Sequence, residues 1–249
     1  MRVATLVKTT GQNILNRFGL YATNRPIVGG SKSVLGSFIP YSKFYAIGTR
    51  ENYFIQEGYR HRTVPQYFDA TGSTDDWQSE VYRFAKEVAD QRNLDSVIDI
   101  GCGSGFKLLK HFGDRKTIGI DVAETCAVLR KRHPSREWAV ADFHDETAPK
   151  ADLVIASDVI EHVPDPDALL QYILRIAPKY VIVSTPDRNL LRFGTHDGPP
   201  LNPTHLREWS MAEFHAYLSM FLELDEHFIS SAAQATQCVL ARPRSISAA

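Results

Sequence analysis

Cysteine is scarce in this 249-residue chain, and the three that occur, Cys102, Cys126 and Cys238, are an odd number without metal-ligand spacing. That excludes a disulfide framework and a cysteine zinc site, and it suits a reducing cytoplasm. Long apolar runs are missing too: none reaches the roughly 18 residues that span a bilayer, and the N-terminus carries no apolar secretory segment. There is no excess of positive charge, since the formal net charge is -1 with 23% charged residues. A broad field able to neutralise phosphates is therefore absent, and a nucleic-acid partner is not expected. Repeats and low-complexity stretches are also lacking. What is present is a 43% hydrophobic composition, enough to bury the core of one α/β domain with an extension. The number of subunits is not legible in the sequence.

Charge is uneven along the chain. Residues 1–70 hold nine Lys or Arg against three acids, together with Gly29, Gly30, Gly36, Pro26, Pro40 and many aromatics such as Phe38, Tyr41, Phe44, Tyr45, Tyr53, Phe54 and Tyr59. We read residues 1–74 as an irregular basic and aromatic cap with short helices. It packs on the main domain or lids a pocket, and its Ile14, Leu15 and Phe18 offer a face for peripheral membrane contact.

From residue 75 to 249 strand-like and helix-like segments alternate, the pattern of a mostly parallel sheet covered by helices on both faces. Asp75 and Asp76 start a helix at Trp77, with apolar positions from Val81 to Ala89 at helical spacing. Strands follow at Ser96–Ile100, Thr117–Ile120, Glu137–Val140, Leu153–Ala156 and Tyr180–Ser184. Helices are expected at Lys107–His111, Glu124–Arg132, Asp167–Ile176 and Met211–Phe221. Glu223–Ser230 and Gln237–Ala241 close the fold as an antiparallel C-terminal hairpin. The tail after Pro243 should fray.

One segment carries the first chemical signal. Val97-Ile98-Asp99-Ile100-Gly101-Cys102-Gly103-Ser104-Gly105 sets a strand, an acid and three alternating glycines before a helix. Glycines let a ligand approach the backbone, and in open α/β sheets ligands bind at the carboxyl ends of strands. The dinucleotide fingerprint G-x-G-x-x-G is not met, because Phe106 stands where its third glycine belongs. An acid beside the loop repels a pyrophosphate but suits a cation such as S-adenosylmethionine (SAM), with its ammonium and sulfonium. Asp121, in Gly119-Ile120-Asp121-Val122, ends the second strand and can accept both ribose hydroxyls, or serve only as a helix N-cap. Asp142 and Phe143 follow the third strand, placed to meet the adenine amino group and ring.

These motifs, with Ala156-Ser157-Asp158-Val159-Ile160-Glu161-His162-Val163-Pro164-Asp165-Pro166 and Val183-Ser184-Thr185-Pro186-Asp187-Arg188, resemble the class I SAM-dependent methyltransferases over residues 77–242. The likeness is greatest to the small-molecule branch that includes the ubiquinone-biosynthesis O-methyltransferases. It implies a Rossmann-like seven-stranded sheet and SAM as cofactor, released as S-adenosylhomocysteine. By the same resemblance Asp99, Gly101, Gly103 and Gly105 hold the methionine moiety, Asp121 the ribose, and Asp142 with Phe143 the adenine. Cys102, Val122 and Ser157 are counted with these cofactor-binding positions.

Methyl transfer from a sulfonium is an in-line displacement, aided by a base where the acceptor is a weakly acidic hydroxyl. His162, after the fourth strand, and His205, in the proline-stiffened loop Pro199–Ser210, are the candidate bases. Arg207 offers an anchor for an anionic group or a brace with Glu208 for the loop; His196 and Asp197 are weaker candidates. Ser210 and Glu213 read as a capping box. Asp158, Glu161 and His162 share one helical face at i, i+3, i+4, and a comparable cluster in the ubiquinone-type relatives is associated with a divalent cation. Asp158 is shorter than the Glu of that pattern, so no metal is the favoured expectation. The leading expectation is O-methylation of a small hydroxylated acceptor, a sugar unit, a phenol or a secondary metabolite, by a cytoplasmic enzyme. N- or C-methylation and a non-catalytic SAM-binding protein are the alternatives.

Overall fold

The computed structural model describes residues 20–23, 37–40, 48–64, 66, 68–192 and 197–244, with backbone alone for the first two stretches and for Arg192. Ile14, Leu15, Phe18, His196 and the tail beyond 244 lie outside the described residues.

Seven strands form one sheet. They are β3 (Ser96–Ile100), β4 (Lys116–Ile120), β5 (Glu137–Ala139), β6 (Leu153–Ser157), β7 (Tyr180–Pro186), β8 (Leu222–Ser231) and β9 (Thr236–Pro243), in the order β5-β4-β3-β6-β7-β9-β8. The first five run parallel, whereas β9 pairs antiparallel with both β7 and β8. The chain reverses its direction of travel across the sheet between β3 and β6, and a crevice must open at their carboxyl ends.

Strand residues divide by the period-two rule. Ile98, Ile100, Val154 and Ala156 enter one core with Leu169, Leu170 and Ile173 of α4 (Pro166–Ile176) and Phe214 and Tyr217 of α6 (Met211–Leu218). Val97, Leu153 and Ile155 face the other way. They meet Val81 and Ala85 of α1 (Ser79–Arg92), Leu108 and Phe112 of α2 (Phe106–Phe112), and Cys126 and Leu129 of α3 (Ala123–Arg132). Helices thus cover both faces, as the alternating pattern requires.

Several expectations change in detail. The first helix starts at Ser79 rather than Trp77, because Gln78 has φ +64° and cannot propagate a right-handed helix. The long loop after β7 contains the short helix α5 (Arg188–Arg192). Helix α6 ends at Leu218, where Met220 N–H and Phe221 N–H turn back to Tyr217 and Leu218 carbonyls. The described part of the cap has an antiparallel pair, β1 (Leu20–Thr23) with β2 (Ser37–Pro40), and one short 3-10 helix at Arg50–Asn52.

Residues 48–62 are built into the main domain. Ile55 is fully buried, and Gln56 donates its backbone N–H to Glu213 Oε1 at 2.8 Å. Arg60 and Arg62 N–H groups bond the carbonyls of Asp197 and Leu206. The same Glu213 oxygen takes Arg188 at 2.7 Å, and its other oxygen takes Ser210 N–H at 2.7 Å, completing the expected capping box.

Candidate functional site

A cavity of about 1060 Å³ opens at the carboxyl ends of β3, β4 and β6. One half is built on the glycine loop. Gly101, Gly103 and Gly105 all have positive φ, between +54° and +71°. At Gly103 a Cβ would stand 3.0 Å from Ala70 Cβ, so the loop is covered by the segment before α1. At Gly105 a Cβ would strike the Trp138 ring at 2.6 Å. This third glycine is demanded by packing and does not line the cavity.

Gly101, Cys102, Gly103, Asp121, Val122, Phe143 and Ser157 do line it. Asp121 Oδ2 accepts from Gly103 N–H and Oδ1 from Val122 N–H, each at 2.8 Å. The carboxylate is thereby fixed to the bend, and each oxygen keeps a lone pair for a diol. Phe143 rests near Tyr172, with ring centroids 5.6 Å apart. Asp142 is exposed and sits just outside the lining, accepting from His144 N–H at 2.9 Å.

Asp99 takes a different place from the one its sequence position suggests. It is fully buried beneath the loop, and both its oxygens lie 2.9 Å from the Tyr82 hydroxyl, which donates to them. Burial pushes its carboxyl up to about 7, against the downward pull of Tyr82 and of the Lys107 ammonium. The acids that line the cavity are Asp121, Asp158, Glu161 and Glu208.

The other half lies after β6 and beneath the 199–210 loop. His162 Nδ1–H donates to Thr204 C=O at 2.8 Å, which leaves the lone pair on Nε2. Burial lowers the His162 pKa below the usual imidazole value, partly offset by that carbonyl. His205 Nδ1 is 2.8 Å from Glu208 Oε1, and its Nε2 accepts from Asn202 Nδ2 at 2.9 Å. The two imidazoles meet edge to face at 4.8 Å.

Glu161 is completely buried, and burial, reinforced by Asp158, raises its carboxyl to about 8. Its Oε2 accepts from Thr185 Oγ1 at 3.0 Å, while Oε1 has no hydrogen-bond partner among the described residues and lies 3.9 Å from His162 Nε2. Glu161, His162 and His205 bring donor atoms within 4.8 Å of one another, so His205 replaces Asp158 in the possible cation set. Asp158 has φ +52° and accepts from Ser184 Oγ at 2.6 Å.

Arg207 points away from the cavity. Its guanidinium donates to Val163 and Pro164 carbonyls at 2.7 and 2.9 Å and stacks over Tyr53. It braces the loop, while Glu208, read as its partner in bracing, holds His205 instead. Asp197 accepts from the Gln56 amide at 2.6 Å. Sequence reasoning missed Gln78, Tyr82 and Lys107 at this site; Glu208 stands three residues from His205, a spacing that could have been used.

The comparisons with known proteins agree with this geometry. A family model described as a methyltransferase domain matches residues 70–239. The chain belongs to this methyltransferase family. Its architecture is that of the class I SAM-dependent methyltransferases. A probable SAM-dependent methyltransferase of Mycolicibacterium smegmatis is 35% identical over 124 residues, covering 47% of each chain. The ubiquinone biosynthesis O-methyltransferase of Alkalilimnicola ehrlichii is 27% identical over 143 residues, 46% of this chain and 58% of that one. The matched region thus spans about half the length of these curated relatives. Among solved structures, magnesium protoporphyrin IX methyltransferase from Synechocystis PCC 6803 with bound SAH shares the fold at a TM-score of 0.52 and 15% identity. That match covers 70% of this chain and 90% of the other.

Proposed function

We propose that this protein transfers the methyl group of SAM to a hydroxyl of a small acceptor, with His162 as general base. Bound in the glycine-loop half, SAM supplies an electrophilic methyl on a sulfonium. Gly101 to Gly103 admit the methionine backbone, Asp121 receives the ribose diol, and Phe143 covers the adenine, with Asp142 at its rim. The open cradle fits such a group, because Gly103 leaves no side chain in the bend and Asp121 is already oriented across it. As the acceptor oxygen bonds to the methyl carbon, the carbon–sulfur bond breaks and its electron pair stays on sulfur. His162 Nε2 takes the hydroxyl proton.

The observation that supports this reading is the Thr204 carbonyl on His162 Nδ1, which fixes the tautomer with a basic nitrogen at Nε2. His205, clamped by Glu208 and Asn202, packs against that ring and holds its orientation. Glu161, His162 and His205 also form an oxygen and nitrogen donor set fit for a divalent cation, which when bound would polarise an acceptor oxygen. The test is a screen of sugars, phenols and other hydroxylated compounds by S-adenosylhomocysteine release. His162→Gln should lower kcat by about 100-fold or more while SAM affinity holds. In the wild type the rate should rise with pH as His162 loses its proton, with an apparent pKa under the ordinary histidine value, and this limb should vanish in the variant. Chelation should leave turnover largely intact. Complete loss reversed by magnesium would instead make His162 a ligand.

A further inference from the structure

Residues 69–78 cross the glycine loop without joining the fold by backbone pairing. Among the described residues their only backbone–backbone hydrogen bonds are the local turn from Ser73 N–H to Ala70 C=O and those that Gln78 C=O accepts from the first turn of α1. They also bury no large apolar side chain, for the segment reads Asp-Ala-Thr-Gly-Ser-Thr-Asp-Asp-Trp-Gln and Trp77 is 63% exposed. Its ties to the sheet domain run instead through side chains, most of them from the surrounding elements. Ser104 Oγ donates to Ser73 C=O at 2.5 Å, Lys107 Nζ to Thr74 C=O at 3.2 Å, and Arg132 to Thr71 C=O at 2.5 Å. Lys110 pairs with Asp75. Gln234, in the β8–β9 turn, closes the far end twice, donating to Asp76 C=O at 2.8 Å and accepting Gln78 N–H at 3.0 Å.

The flanks are held differently. Upstream, Arg62 and Gln66 N–H groups bond the carbonyls of Leu206 and Pro203; downstream, Val81 and Tyr82 anchor α1 in the core. Between these fixed points lies a segment secured by exchangeable side-chain bonds, the condition for local opening as a unit. Its inner surface, Ala70, Ser73 and Gln78, lines the cavity opposite Gly103 and Asp121. Gln78 further donates to Ser157 C=O at 3.1 Å and hydrogen-bonds the Asp158 carboxylate, so the same segment walls both halves of the site.

We propose that residues 69–78 are the gate for cofactor exchange, opening between Gln66 and α1 and latched shut by Gln234. The gate concerns the cofactor cleft alone and needs no acceptor, so its failure is distinct from failure of the His162 mechanism. Two measurements on the full chain decide it, both using S-adenosylhomocysteine as probe. In stopped-flow displacement, Gln234→Ala should speed its release about tenfold, the equivalent of two neutral hydrogen bonds at the latch. Asp75→Cys with Lys110→Cys, joined by a thiol cross-linker of ion-pair length and checked by mass, should trap preloaded cofactor; the uncrosslinked double variant should release it freely. The three native cysteines are buried; because Cys102 lines the cavity, the experiment is run in a Cys102→Ala background. Release from the cross-linked protein at the uncrosslinked rate would overturn the gate even if Gln234→Ala disturbed folding. So would an unchanged release rate in a folded Gln234→Ala.

Discussion

Two carboxylates at successive strand ends, Asp99 and Asp121, divide the work that the sequence assigns to both. Asp121 stands in the cleft with its oxygens organised by Gly103 and Val122 N–H groups. If Asp121 receives the ribose diol as proposed, its removal takes away those charge-assisted bonds and slackens the bend, and Asp121→Ala should weaken SAM binding about 100-fold by calorimetry. Asp99 is buried beneath the loop, and among the described residues its donor is Tyr82. Tyr82→Phe should cost about 2 kcal/mol in denaturant unfolding, since a buried carboxyl then loses its partner. The pH dependence has a definite sign: Asp99 is raised to about 7 by burial, above its unfolded value. Its contribution to stability is full only below the ordinary carboxylate range, falls progressively through mild acid and is gone above about 7; Tyr82→Phe, which removes a bond favouring the charged form, should extend that fall to higher pH.

Among the secondary-structure elements, the capping box at α6 was legible because its chemistry is local. Ser210 Oγ accepts from Glu213 N–H, and the Glu213 carboxylate returns to Ser210 N–H. Ser210→Ala should therefore cost about 1 kcal/mol, read as a shift in the denaturation midpoint without a change in slope. The strand pattern was legible for a similar reason, since β6 is apolar from Leu153 to Ala156 and can only sit between two helical layers. Helix α5 and the true start of α1 were not. The first is a five-residue turn set by Asp187, buried against β9 and Trp209, and the second depends on Gln234, some 150 residues further on.

For the molecule as a whole, the boundary drawn at residue 74 does not mark where packing stops. Gln56, Arg188 and Glu213 meet in one buried cluster that binds residues 48–62 to α5 and α6. Arg188 and Glu213 are 0% and 1% exposed, so the pair is screened very little. Glu213→Ala removes a carboxylate bonded to that guanidinium and opens the cap of α6, and it should cost about 3 kcal/mol or more. If the 48–62 segment is part of the core, hydrogen exchange of Ile55 and Gln56 should accelerate in the same variant.

Read alone, the sequence determined the order of the sheet strands and of the longer helices, the glycine bend and the capping of α6. Each of these is written in neighbouring residues through spacing, φ preference or local hydrogen bonds. Tertiary structure decided which acid reaches the cleft, that Arg207 braces a loop instead of facing a substrate, and that Glu208 orients His205 beside His162. Those outcomes depend on where side chains from distant segments come to rest, and on how far burial shifts their charge, which no stretch of chain encodes by itself.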